Sequence, residues 1–186
     1  MPIMGDMSQQ QLADKSYRSS FSHSSERAEP GYYSVIMADS RIMAELTCTE
    51  RVASHKYTFP THGKKGVVID LTHRDKTLEC NLSLDKENNR ITCFRHSSVW
   101  IPNQWCYFAL TADKPIVGIE YFAAPKGVVV EESPRAYAVV YFDDDVMDLE
   151  LQVAISAVDE QGAIGNLSTA QGLDFEAMRE KAHDTW

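Results

Sequence analysis

No stretch of eighteen apolar residues occurs in this chain, so no membrane-spanning helix is written into it. Positive charge is in the minority: 18 Lys and Arg residues stand against 27 Asp and Glu, a net charge of −9. That sign is the opposite of what counterion release on a polyanion requires, which excludes nucleic acid as a partner. None of the 4 cysteines, Cys48, Cys80, Cys93 and Cys106, belongs to a CxxC pair, which argues against a zinc site. No fixed-period repeat is visible, so neither a propeller nor a solenoid is supported. The opening MPIMGDMSQQ has no basic n-region and no long apolar core, and no signal peptide is visible. Taken alone, that places the protein in the cytoplasm.

What is present is β-pattern. Ile42, Ala44, Leu46 and Cys48 alternate with Met43, Glu45, Thr47 and Thr49, the period of two of a half-buried strand. Similar runs occupy residues 32–38, 52–59, 66–72, 77–84, 90–96, 105–112, 116–122, 127–130, 136–142 and 149–158. Pro60 ends the 52–59 run, because proline cannot donate to a ladder. About eleven strands, with turn signals every eight to twelve residues and no helices between them, predict an all-β fold, an antiparallel β-sandwich. The length of 186 residues suffices for one domain with a real core. Residues 1–20 read as an incomplete N-terminal region, with Pro2–Met4 as the tail of a strand and the remainder a loop that is mobile or ordered only by a neighbour. The sandwich is assigned to residues 21–160.

Only the end reads as helix. Asp174 is an N-cap, and Phe175, Met178, Ala182 and Trp186 recur at helical spacing along one apolar stripe. Residues 161–186 therefore read as a linker and the start of one C-terminal helix, with Phe175, Met178 and Trp186 offered to a docking partner.

Other candidates have bland readings beside the sharp ones. Cys48, Cys80 and Cys93 sit in alternating apolar patterns and read as buried free thiols. If the four did pair, three connectivities would be open. His55 and His73 lie in or beside strands with no zinc spacing, and read as structural. Asp143, Asp144 and Asp145 suggest calcium by charge, but they lack the EF-hand spacing and read as a solvated turn. Trp100, Trp105 and Tyr107 suggest a sugar-stacking platform. Trp105 and Tyr107 share parity with Ala109 and read as core, while Trp100 stays open.

Beyond pattern, the chain resembles the N-terminal domain of the family 92 glycoside hydrolases, the calcium-dependent exo-acting α-mannosidases. The residues that carry the likeness are Phe21-Ser22-His23, Glu26, Ala28-Glu29-Pro30-Gly31-Tyr32-Tyr33-Ser34-Val35, Ala44-Glu45-Leu46-Thr47, Arg51-Val52 and His55-Lys56-Tyr57-Thr58-Phe59-Pro60. Ile69-Asp70-Leu71 and Leu173-Asp174-Phe175 follow in the same order. The resemblance implies a β-sandwich joined through its last helix to a catalytic α/α-toroid domain, which would supply the acid, the base and most of the calcium ligands. No catalytic or metal residue is then expected here, and the chain alone is expected to be inactive. The resemblance also implies α-mannoside glycans as substrates of the longer enzyme, and a periplasmic or secreted location.

What this piece would add is one wall of the sugar pocket. The polar 21–30 loop is the best candidate, with His23, Glu26, Arg27 and Glu29 as substrate-binding residues. Those charges alternatively cap turns or sit in solvent. A second reading of the whole chain, from a different class, is a stand-alone carbohydrate-binding β-sandwich module without catalysis. A third is a purely structural sandwich.

Overall fold

The computed structural model describes residues 1–129 and 133–186. Its strands are β1 (Pro2–Met4), β2 (Glu26–Glu29), β3 (Tyr32–Ile36), β4 (Met43–Cys48), β5 (Val52–Thr58) and β6 (Lys65–Asp70). They continue as β7 (Lys76–Asp85), β8 (Arg90–Ser98), β9 (Gln104–Ala112), β10 (Gly118–Phe122), β11 (Tyr137–Phe142) and β12 (Asp148–Ser156). Two antiparallel sheets result, a four-stranded one in the order β1-β6-β11-β10 and an eight-stranded one in the order β2-β3-β4-β5-β12-β9-β8-β7. The all-β sandwich expected from the alternation is the fold observed. Of the expected 127–130 strand, Val130 lies outside the described residues, and Val129 makes only an isolated bridge to Thr77.

The inner faces close on Ala44, Tyr57, Leu149 and Leu151 of the large sheet and Val67, Val140 and Phe142 of the small one, all buried in one cluster. Strand β11 is buried along its whole length, the pattern of a strand covered on both faces. Its outer cover comes from the N-terminal segment, which carries a short helix where only loop was expected. Ser8 caps the short helix α1 (Gln9–Ala13), with Gln11 returning the bond to complete a capping box. Leu12 and Met7 join the core, Tyr17 donates to Asp70 on β6 at 2.6 Å, and Gln9 donates to the Ala123 carbonyl at 2.9 Å. Few apolar residues in 1–20 obscured this, because two or three large side chains suffice to pin the segment.

Two helices, not one, cover the outer face of the large sheet. Helix α2 (Glu160–Ser168) starts at Asp159, which accepts from the Gly162 amide, and α3 (Phe175–Thr185) starts at Asp174, as expected. Helix α2 escaped the pattern search because Gly162 and Gly165 dilute its periodicity. The packing explains the first of these: a Cβ on Gly162 would lie 2.6 Å from the Ser156 hydroxyl of β12. Ala163, Leu167 and Ala170 then close with Met178 over Val52, Ala109 and Ala154.

This layer changes the reading of the apolar stripe. Phe175 and Met178 are 0 % exposed. They pack on the chain's own sheet, where the Phe175 ring meets Tyr32 edge-on at 6.4 Å. Neither is available to an external partner; of the three docking residues only Trp186, at 86 % exposure, is. The thiols also differ from expectation at one position: all four are unpaired, with Cys80 and Cys93 buried, but Cys48 is exposed near the end of β4.

Candidate functional site

Residues 21–30 were expected as a loop; most of them form a turn and an edge strand. The Ser22 hydroxyl accepts from the Ser24 amide and opens a short 3-10 turn at His23–Ser25. The chain then enters β2, the outermost strand of the large sheet. Pro30 and Gly31 make the turn into β3, and Gly31 has φ +78°, as a proline–glycine type II turn requires. The same glycine has a second reason to be there. A Cβ on it would stand 3.0 Å from the carbonyl carbon and Cβ of Ala182, so the hairpin tip rests directly on α3.

Because β2 is a strand, its period of two divides the four candidates between two faces. Glu26 shares a face with Tyr33, and Arg27 and Glu29 share the other with Tyr32. On the first face His23 Nδ1 lies 2.6 Å from Glu26 Oε2, and the Tyr33 hydroxyl donates to Glu26 Oε1 at 2.8 Å. The bond from His23, and then that from Tyr33, hold the Glu26 carboxyl below its usual range. Burial and the bond to Glu26 push the Tyr33 phenol up. The His23 side chain is 92 % exposed, with the Phe21 ring edge-on at 5.8 Å. With Nδ1 engaged by the carboxylate, Nε2 is the ring nitrogen left without a partner among the described residues.

On the second face the charges are tied to one another and to α3. Arg27 donates to Glu29 Oε2 at 2.6 and 3.2 Å, and Arg179 of α3 donates to Glu29 Oε1 at 3.1 Å. The Arg179 guanidinium also lies 3.8 Å from the centroid of the Tyr32 ring, whose hydroxyl donates to Glu45 at 2.6 Å. The bond from Arg27 is the main cause of the lowered Glu29 carboxyl. This set ties the hairpin to the helix. Each oxygen of Glu26 and of Glu29 is therefore occupied, and both carboxyls are shifted down. A glycosidic general acid needs the reverse, a carboxyl raised and free to give its proton. Sequence reasoning missed Tyr33 and Arg179. The two-residue Pro30-Gly31 turn fixes the register that brings Tyr33 beside Glu26, and was the available signal for the first. Nothing local announced the second, 150 residues away from Glu29.

The remaining candidates are structural in their surroundings. His55 Nδ1 is 2.8 Å from the Tyr57 hydroxyl, and burial lowers its pKa to about 4, keeping it neutral near pH 7. His73 is exposed in the turn after β6. In the acidic turn, the Asp143 carboxylate accepts from the Asp145 amide at 3.0 Å, and the Asp144 carbonyl accepts from the buried ammonium of Lys65. The three aspartates themselves are exposed, as a solvated turn would have them. Among the described residues, no group of three His, Cys, Asp or Glu side chains is placed to hold a metal. Trp105 and Tyr107 are half-buried, not core, and the His96 ring stacks on Trp105 at 4.1 Å. One face of that ring is thus taken and is not open to a sugar. Trp100 stands 95 % exposed.

A family model described as the glycosyl hydrolase family 92 N-terminal domain matches residues 1–156. The structure is similar to the family GH92 α-mannosidase BT3965 from Bacteroides thetaiotaomicron, with a TM-score of 0.84 and 26% identity over 100% of this chain and 27% of that one. It is also similar to the family GH92 inverting mannosidase BT2199 from the same organism, with a TM-score of 0.79 and 21% identity over 100% of this chain and 25% of that one. The gh92 family glycosyl hydrolase ccman5 superposes with a TM-score of 0.78 and 22% identity over 92% of this chain and 25% of that one. This chain thus spans about a quarter of the length of these solved proteins. None of the curated proteins matches it. No helix among the described residues is long and apolar enough to cross a membrane.

Proposed function

Because the chain belongs to glycosyl hydrolase family 92, as an N-terminal domain, we propose that it forms one wall of the sugar pocket of a longer exo-α-mannosidase. The bond-breaking carboxyl groups then lie in a second, α/α-toroid domain, together with most ligands of the calcium ion. The observation that carries this reading is the His23–Glu26–Tyr33 set. Its imidazole is fixed in orientation by a carboxylate, left with a free Nε2 among the described residues, and almost wholly exposed. An imidazole held in one orientation, with Nε2 directed away from its carboxylate partner, suits a hydrogen bond to a sugar hydroxyl, which can both donate and accept.

Arg27 and Glu29 have a different part. They hold the hairpin on α3, and so set where His23 stands relative to whatever follows the helix. A periplasmic or secreted setting accords with a glycan substrate. Inversion needs two carboxyls about 6.5–9.5 Å apart with a water between them, and this reading assigns both to the second domain.

The test is the longer reading frame. Its product should cleave an aryl α-mannoside, and His23→Ala should lower kcat/KM with little change in Tm, because the side chain is exposed. Glu26→Gln should act in the same direction by loosening the imidazole. A His23→Ala product with unaltered kcat/KM would remove the domain from the sugar pocket.

A further inference from the structure

Of the 7 phenylalanines, only Phe21 is exposed, at 52 %. It lies in the run Ser19-Ser20-Phe21-Ser22-His23-Ser24-Ser25, where every position except the two rings is serine. Serine is too short a side chain to cover either ring. The exposure does not come from a loose chain. Before Phe21, the Ala38 amide donates to the Ser20 carbonyl at 2.9 Å. The Asp39 carboxylate accepts from the Ser19 hydroxyl at 2.7 Å and from the Ser20 amide at 2.9 Å, and these bonds hold its carboxyl below the usual range. After Phe21, the Ser22 carbonyl accepts from the Ser25 amide at 2.8 Å and from the Ser25 hydroxyl at 2.9 Å.

A single exposed apolar side chain is ordinary on a protein surface. Phe21 differs in being held out on a backbone fastened at both sides, next to an imidazole that Glu26 already orients. The two ring planes stand at 88°, with centroids 5.8 Å apart. Such an edge-on contact occupies no more than one face of the phenyl ring and leaves the other clear of the imidazole. The pair thus forms a corner, one wall flat and apolar, the other carrying a hydrogen-bonding nitrogen. A pyranose has the matching surfaces, a face of C–H bonds and a rim of hydroxyls. Small-molecule sites combine aromatic walls with a few placed polar groups in this way.

We propose that Phe21 is a substrate-binding residue of the same pocket: its ring takes the C–H face of a sugar ring of the substrate while His23 takes a hydroxyl at the rim. This rests on the reading of the β2 edge as a wall of the sugar pocket, and it adds a ring outside the four charged candidates.

Variants of the longer product, read as KM and kcat separately on an aryl α-mannoside, test it. Phe21→Ala should raise KM about tenfold, the scale of burying part of an aromatic side chain. It should leave kcat within about twofold, because a stacking contact made alike in the ground and transition states changes binding only. Phe21→Trp should keep KM low, since the sugar meets a flat face; Phe21→Leu, apolar but not flat, should behave as Phe21→Ala does. Tm should be unchanged in all three, because the side chain is exposed. If His23→Ala lowers kcat/KM and Phe21→Ala leaves KM unaltered, this inference alone falls. If neither variant changes either constant, the reading of the edge as a pocket wall falls with it. A Phe21→Leu product with the KM of the parent, or a Phe21→Ala product with a markedly lowered Tm, would make the ring an apolar cover between domains and overturn the proposal.

Discussion

Two regions meet at the β2–β3 hairpin and use their side chains in opposite ways. On the side of Tyr32, Arg27, Glu29 and Arg179 close on one another and on that ring, and both oxygens of the Glu29 carboxylate have partners. On the other side, residues 19–25 are fastened through backbone and serine hydroxyls, while the Phe21 and His23 rings stand exposed. The first arrangement spends interaction on geometry: it fixes an edge strand against a helix. The second keeps its rings available. Helix α3 governs both, since it holds the strand that carries Glu26, the partner of His23.

The largest expected effect therefore comes from undoing α3. Phe175→Ala should cost about 3–5 kcal/mol by the lost transfer energy and the cavity left behind. Urea denaturation would measure it, and both regions should loosen together. A cost below about 1 kcal/mol would mean that the helix is not seated as described.

Acid should weaken the fold in two stages. The unfolded chain protonates His55 near 6.5, while the folded chain resists down to about 4. The unfolded state thus binds more protons within that window, and stability falls as pH drops through it, by on the order of 3 kcal/mol. His55→Gln should remove this stage. Below it, Glu26 and Glu29, whose carboxyls are held under their ordinary value of 4.5, contribute stability that is present above that value and lost as pH falls through the folded one. Urea midpoints at a series of pH values would show both stages.

Next in size is the hairpin tip. Gly31→Ala meets a left-handed backbone and the Ala182 carbon atoms, and should destabilise by about 1–2 kcal/mol. Gly172 also has a positive φ but nothing near its Cβ position, so Gly172→Ala measures backbone strain alone. The difference between the two variants isolates the contact of hairpin on helix. The smallest effect should be that of Arg179→Ala, which removes two partly exposed ion pairs, to Glu29 and Glu176, and one cation–π contact, for about 1 kcal/mol.

How much of this was written in the sequence differs by element. The period of two over 42–49 and 149–156 named strands because Ile42, Ala44, Leu149 and Leu151 enter the main core, although Thr47, Ala154 and Ser156 of the opposite parity are buried as well. Asp174 named the start of α3 by its capping chemistry. Helix α2 stayed hidden because Gly162 serves packing on Ser156, and packing has no local signature. For the same reason the Phe175 and Met178 stripe was legible as apolar but not as already covered: the cover is the chain's own sheet, a contact across 120 residues in the case of Lys56 and Glu176 beside it. At the candidate site His23 and Glu26 were legible as residue types. Their separation from Arg27 and Glu29 was not, since it follows from reading 26–29 as strand rather than loop.

The most direct measurement is the hydrolysis of an aryl α-mannoside by three preparations: this chain, the product of the longer reading frame, and that product with His23→Ala. The expected result is no cleavage by the first, cleavage by the second, and kcat/KM lowered about tenfold or more in the third, the scale of one lost hydrogen bond to a positioned sugar. Cleavage by this chain alone, a reading frame that ends at Trp186, or an unaltered kcat/KM after His23→Ala would contradict the account.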